Sequence, residues 1–172
     1  MILLVRLNNV PSLVMRSIFT ASFLMLILSS CTKQKGKNPS LAYSDGALYD
    51  SCATKEHYYY KNDPNILLSG AAGPHGTFKL RFNSIALKAL TDNGKLPVSG
   101  TMPEGSMIIK DVYRNGNLAL YAFMYKKSGS WLWAEIKANK TVEHSVTKNP
   151  FVCTDCHSQQ GNRDLVVSFK VY

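Results

Sequence analysis

Residues 106–137 read as three extended runs with almost nothing between them: SMIIKDVY, LALYAFMYKK and SWLWAEIK. The links hold Asn115-Gly116-Asn117 and Ser128-Gly129, residue types that reach positive φ at low cost, as tight antiparallel hairpins require. The middle run is apolar on both faces: Leu118, Leu120, Ala122 and Met124 alternate with Ala119, Tyr121, Phe123 and Tyr125. A strand wetted on one side alternates apolar with polar. This run is therefore either central in a layered core, or its aromatic face covers a cofactor or a partner subunit.

The flanking segments fit the same architecture. GTFKLRF, residues 76–82, places Phe78, Leu80 and Phe82 on one face of a strand. Ser84 is positioned to cap a short helix through about Leu90, and TDNGKLPVSGTMPEG then supplies turn chemistry at Asn93-Gly94 and Pro103-Glu104-Gly105. An irregular stretch leads to a cysteine segment, and LVVSFKVY, residues 165–172, reads as a closing strand with Leu165, Val167, Phe169 and Val171 on one face. No internal repeat is present. The expected fold class is α+β, mainly antiparallel β-sheet with a few short helices.

The N-terminus is set apart from this pattern. Arg6 and Arg16 precede an apolar run at residues 17–30, too short for a comfortable membrane span and the right length for the core of an export signal. Met15, directly before Arg16, offers an alternative start to Met1. The run ends in Leu28-Ser29-Ser30-Cys31, which resembles a bacterial lipobox, with Cys31 as the lipidated residue; the bland alternative is an ordinary signal with a stray cysteine. Thr32 after that cysteine fits outer-membrane sorting in a host that has one. Residues 1–30 are thus a leader, 31–45 a polar tether and 46–172 a single domain, exported and held at the membrane facing the periplasm.

Without the leader the net charge falls from +9 to +7, because the removed stretch holds two arginines and no acids. The basic residues are dispersed among the strands and the tether KQKGK. A nucleic-acid partner would need them clustered on one element, so none is expected.

FVCTDCHSQQ, residues 151–160, carries Cys153, Cys156 and His157 as C-x-x-C-H. Thiols at i and i+3 share one side of a helical turn and can reach two vinyl groups of one porphyrin, while the next residue's imidazole drops beneath the iron. Covalently attached haem c, with His157 on the iron, is the expected cofactor. Such attachment takes place outside the cytoplasm, where the leader sends the chain. The competing readings are a thioredoxin-like dithiol, which wants a βαβ context, a structural zinc site, which wants four ligands, and chance.

With that motif in place, the order of the pieces resembles the cytochrome P-460 family, which includes the cytochromes c′-beta. The pieces are HGTFKLRFN from His75, MPEGSMIIKDV from Met102, GSWLWAEIK from Gly129, CTDCH, and the closing hydrophobic run to Tyr172. The resemblance implies a largely antiparallel β domain, a homodimer, His157 as proximal ligand and an open distal side. It also implies that Lys110 lies at the porphyrin edge, where the family carries a lysine cross-link. Independently, Lys110 shares a strand face with Ile108 and Val112, an apolar setting that favours a neutral amine.

The hydroxylamine-oxidising members of the family carry a distal glutamate as proton acceptor, and the matching position falls near Tyr121. Glu135 alternates with Trp133 and Lys137 and reads as a surface residue. An aromatic distal face from Tyr121, Phe123 or the Tyr58-Tyr59-Tyr60 run would instead favour gas binding, so enzymatic activity turns on the missing carboxylate. His57, His75, His144, Met102, Met107 and Met124 are candidates for a sixth ligand, which would make the chain an electron carrier with an undefined redox partner. Cys52 is left over, unpaired or joined to another chain. The expected ligand is a small gaseous or nitrogen-containing molecule. A haem-free lipoprotein with a C-x-x-C disulfide is the reading from a different class.

Overall fold

The computed structural model describes residues 44–53, 57–69 and 73–167, which lie in one compact unit, Pro39–Tyr172. The expected leader, Cys31 and all but the end of the tether fall outside the described residues, as does the expected strand from residue 168 onward. In chain order the elements are helix α1 (Asp45–Ala53), strand β1 (Tyr58–Tyr59), a 3-10 turn (Tyr60–Asn62), β2 (Leu68–Ser69), β3 (Thr77–Phe82), helix α2 (Ser84–Ala89), β4 (Met107–Arg114), β5 (Asn117–Lys127), β6 (Ser130–Lys137), β7 (Val142–Lys148) and helix α3 (Phe151–His157). All seven strands form one antiparallel sheet in the order β1-β3-β4-β5-β6-β7, with β2 also pairing β3. The α+β expectation holds at this level. No helix among the described residues is long and apolar enough to cross a membrane.

The two expected hairpins form. Asn115 and Gly116 have φ of 50° and 77°, and Ser128 and Gly129 have φ of 52° and 71°, so each link turns through two left-handed residues that match the twist of the flanking strands. β5 lies at the centre of the meander with both faces covered. On one face Leu120, Ala122 and Met124 join Phe78, Ile108, Val112 and Trp133 in a buried cluster. On the other, Phe123 and Tyr125 join Met107, Ile109, Leu132 and Ile136 under α1, which inserts Leu48, Tyr49 and Cys52. Tyr49 meets Tyr121 edge to face at 5.6 Å. The apolar character of both faces thus reflects a layered core, and the aromatic side of β5 packs on a helix.

One buried ion pair sits in that second layer. Arg81 donates from Nε to Asp111 Oδ2 at 2.8 Å and from Nη2 to Asp111 Oδ1 at 2.6 Å, with side chains only 8% and 7% exposed. The same Nη2 donates to the Cys52 carbonyl at 2.8 Å, tying the end of α1 to the sheet.

Several expectations shift. Asn83, one residue before Ser84, caps α2: its Oδ1 accepts from the Ala86 N–H at 2.9 Å. The stretch read as irregular contains β7, a polar edge strand whose pairing with β6 is broken by register shifts; with no apolar alternation it carries no strand signal. The closing strand does not begin at Leu165. Arg163 and Val166 bridge across a tight turn in which Asp164 and Leu165 have φ of 50° and 62°. Tyr58 and Tyr59 form an edge strand and Tyr60 enters the core under β3. Cys52 is fully buried, so its thiol cannot join a second chain.

Removing the Asp111 carboxylate would strand the Arg81 charge in a dry layer. Asp111→Ala is expected to lose about 3–5 kcal/mol in urea unfolding. Ser106→Ala, which removes a buried hydroxyl without a hydrogen-bond partner, is expected to be neutral or stabilising in the same assay.

Candidate haem site

The chemistry-bearing residues converge through strand register. Leu80 pairs with Lys110, Lys110 with Ala122, Ala122 with Glu135 and Glu135 with His144, so these five side chains form one row across β3 to β7 on the same sheet face. The neighbouring row, Phe82, Ile108, Met124 and Trp133, is apolar. Ala122 is the small member between two long polar neighbours. It leaves a gap over the sheet, with the Lys110 and Glu135 backbones separated by two strand spacings, roughly 10 Å.

Helix α3 crosses above this gap. Asn149, at φ 43°, reverses the chain after β7, and its Oδ1 accepts from the Trp131 N–H at 3.3 Å and Trp133 Nε1 at 3.2 Å. Pro150 then occupies the N-cap with φ −65°, a value proline sets at no entropic cost. One turn later Cys153 and Cys156 face the same side, unbridged and half-buried, while Phe151, Val152 and Asp155 face solvent. His157 ends the helix buried.

The His157 ring is held on two sides. Its Nδ1 donates to the Leu165 carbonyl at 2.7 Å, and Trp133 packs against it edge to face at 4.7 Å. With Nδ1 carrying the proton, Nε2 keeps a free lone pair.

Between the sheet row and α3 lies a cavity of about 230 Å³ lined by Lys110, Glu135, His75, Cys153, Cys156 and His157, with Phe78, Ile108, Met124 and Trp133 as apolar walls. Its mouth is at the exposed residues Pro74, His144 and Val152. Cofactor pockets usually enclose about 300–1,000 Å³, so a tetrapyrrole would fill the closed part and extend into the mouth. The donor set fits haem c: two thiols on one helix face, one imidazole with an unprotonated nitrogen, and apolar walls. Among the described residues no three His, Cys, Asp or Glu side chains converge on a bare ion; haem asks the protein for a single proximal ligand.

Electrostatics in the cavity follow from burial. Desolvation lowers Lys110 to about 8, against the opposing pull of Cys156 and Glu135. It lowers His75 to about 3 and His157 to about 4, with Lys110 pushing the same way. Burial raises the Glu135 carboxyl above the usual carboxylate range and the Cys153 thiol to about 11. His75 Nδ1 lies 3.4 Å from Glu135 Oε1. With the imidazole neutral, that contact is a ring nitrogen beside a carboxyl group rather than an ion pair.

Of the residues expected from sequence, Cys153, Cys156, His157 and Lys110 come together, and Lys110 shares its buried face with Ile108 and Val112 as anticipated. Glu135 corrects its expected surface position: it faces inward. Tyr121 does not face the cavity; it packs beside Tyr49 on the opposite side of the sheet. The Tyr58-Tyr59-Tyr60 run is likewise absent from the lining, and Phe123 touches the cavity although its ring belongs to the layer under α1. Among the sixth-ligand candidates the cavity selects His75, His144 and Met124; Met102, in the same core cluster as the cavity walls, Met107, in the layer under α1, and His57 do not line it. Trp133 was the signal for Glu135, since a tryptophan two residues away on one strand shares its face.

Lys110 carries a pH dependence whose sign is fixed. Its amine, held at about 8 in the fold against 10.5 in a free chain, binds fewer protons folded than unfolded between those values, so stability rises with pH across that window. The Cys52 and Cys153 thiols, raised by burial, act in the opposite direction above about 9, so the Lys110 contribution is read as the difference between wild type and Lys110→Met in urea unfolding, and is expected to grow by up to about 3 kcal/mol from pH 8 to 10.5. Compared with family models, curated proteins and solved structures, the chain matches none, so the residues of this cavity alone carry its functional reading.

Proposed function

We propose that this chain is an exported monohaem c-type cytochrome of the P-460 type, tethered through a lipid on Cys31 at the periplasmic face of a membrane. The observation that carries the proposal is the meeting, in one cavity, of a C-x-x-C-H helix with a half-buried lysine and a half-buried carboxyl group. Haem bound there would supply an iron centre for small nitrogen ligands such as nitric oxide or hydroxylamine.

The chain's own residues divide the work. Cys153 and Cys156 hold the group by thioethers, and His157 offers Nε2 to the metal. Apolar walls from Phe78, Ile108 and Trp133 exclude water. Glu135, with its carboxyl shifted upward by burial, is suited to take a proton from a ligand N–H or O–H. His75 can orient that carboxyl. Lys110, whose amine burial lowers to about 8, has a larger neutral fraction at physiological pH than a free lysine and is the amine that a porphyrin cross-link would use. The presence of Glu135 favours hydroxylamine oxidation alongside gas binding. A homodimer and a separate redox partner belong to the same proposal.

A second reading, an electron carrier with both axial positions filled, is favoured by His75 lying in the same cavity. Optical spectra of the purified protein separate the readings. An open site predicts a high-spin ferrous spectrum that changes on adding nitric oxide; a sharp low-spin α band in the reduced protein would establish the electron carrier. A protein without a Soret band would be a haem-free lipoprotein. A Lys110 cross-link predicts a broad, red-shifted ferrous Soret band that reverts to an ordinary c-type spectrum in Lys110→Ala. Glu135→Gln is expected to slow hydroxylamine oxidation about a hundredfold in steady-state assays while nitric oxide binding persists.

A further inference from the structure

The turn at residues 163–166 is over-determined in a way that its own sequence does not explain. Asp164 and Leu165, neither of them glycine, both adopt left-handed backbone at φ 50° and 62°. Side chains with a Cβ resist that region, and such geometry persists only where the surroundings enforce it. Here they do so from three directions. The Asp164 carboxylate accepts from Lys126 Nζ at 2.7 and 3.0 Å and from the Met102 backbone N–H at 2.7 Å. The Asp164 carbonyl accepts from Trp131 Nε1 at 2.8 Å. Arg163 donates to Asp92 at 2.8 Å and to the Leu96 carbonyl.

The Lys126–Asp164 pair is largely buried, at 7% and 12% side-chain exposure, and Lys126 Nζ lies 5.0 Å over the Trp131 ring. None of these partners belongs to α3. What the turn delivers to α3 is one atom: the Leu165 carbonyl oxygen, 2.7 Å from His157 Nδ1. The Leu165 carbonyl shares its peptide plane with the Val166 N–H, which donates to the Arg163 carbonyl at 2.9 Å, and the peptide before it is held through the Asp164 carbonyl by Trp131, so turning the Leu165 carbonyl away from the imidazole disrupts this hydrogen-bonded turn.

We infer that Lys126 and Trp131, acting through Asp164, are positioning residues that hold the Leu165 carbonyl on His157 and thereby set the donor strength of the axial imidazole. The inference rests on His157 being the haem ligand. A carbonyl accepting the Nδ1 proton gives the imidazole partial imidazolate character and makes Nε2 a stronger donor, which favours ferric over ferrous iron. Loosening the carbonyl shifts the balance the other way.

The test uses the haem-loaded protein and compares wild type with Trp131→Phe, Lys126→Met and Lys126→Arg. Trp131→Phe keeps an aromatic ring and the Lys126–Asp164 pair but removes the Nε1 donor together with part of a fully buried indole, so it tests the carbonyl arm if Lys126→Met fails to fold. Both variants are expected to raise the ferrous-to-ferric ratio at a fixed ambient potential about fivefold, as for one weakened hydrogen bond. Both should also lower the ferrous iron–imidazole stretching frequency, and Lys126→Arg should restore wild-type values. Variants that lose thermal stability while potential and stretching frequency stay at wild-type values would overturn the inference and leave the turn purely structural. A wild-type protein without a Soret band would overturn the haem reading itself and this inference with it, so the two failures are distinguishable.

Discussion

The constraint on which the rest depends is that β4, β5 and β6 are covered on both faces. A charged side chain leaving such a sheet has no solvent to enter and must be answered by a partner or by a functional cavity. The two faces answer it differently. Under α1, Arg81 and Asp111 stand on adjacent strands and close a bidentate pair, which consumes both charges. On the other face Lys110 and Glu135 stand two strands apart with Ala122 between them, too far for the same solution. Their charged forms are disfavoured instead: burial lowers the lysine to about 8 and raises the carboxyl. One face gains rigidity and the other gains groups that can exchange protons.

The layer above the cavity is held as firmly as the sheet below it, by polar contacts rather than apolar ones. Asn149 anchors the start of α3 to the two tryptophans of β6, and the turn at residues 163–166 anchors its end. Trp133 takes part in both arrangements, since its indole N–H meets Asn149 and its ring meets His157. A helix of seven residues is too short to be stable by itself; these contacts give it a fixed orientation over the polar row. Pre-organisation of this kind is what a site needs if a small ligand is to meet a carboxyl, an amine and an imidazole at once.

The strands of the meander were legible because their two-residue turns and alternation are local signals, and C-x-x-C-H was legible because its chemistry is local too. Residues whose position depends on pairing were not. Counted from the Asn115-Gly116 turn alone, Lys110 would stand opposite Tyr121. The register shift between Val112 and Tyr113 inserts one extra residue in β5 and brings Lys110 to Ala122. The strand β7 was hidden because a polar edge strand has no apolar period to reveal it, and with it went the pairing that brings His144 beside Glu135. His75 precedes β3 in a short turn, where no periodicity operates.

By itself, then, the sequence determined an antiparallel meander with a doubly buried centre, a helical turn presenting Cys153, Cys156 and His157, and a lysine on an apolar strand face. Each of these follows from interactions among residues a few positions apart. The tertiary structure alone decided that Glu135 faces inward, that His75 meets it, and that Lys126 and Trp131 hold the turn behind His157. Those placements depend on a bulge, an edge strand and contacts between segments dozens of residues apart, whose energies no local pattern encodes.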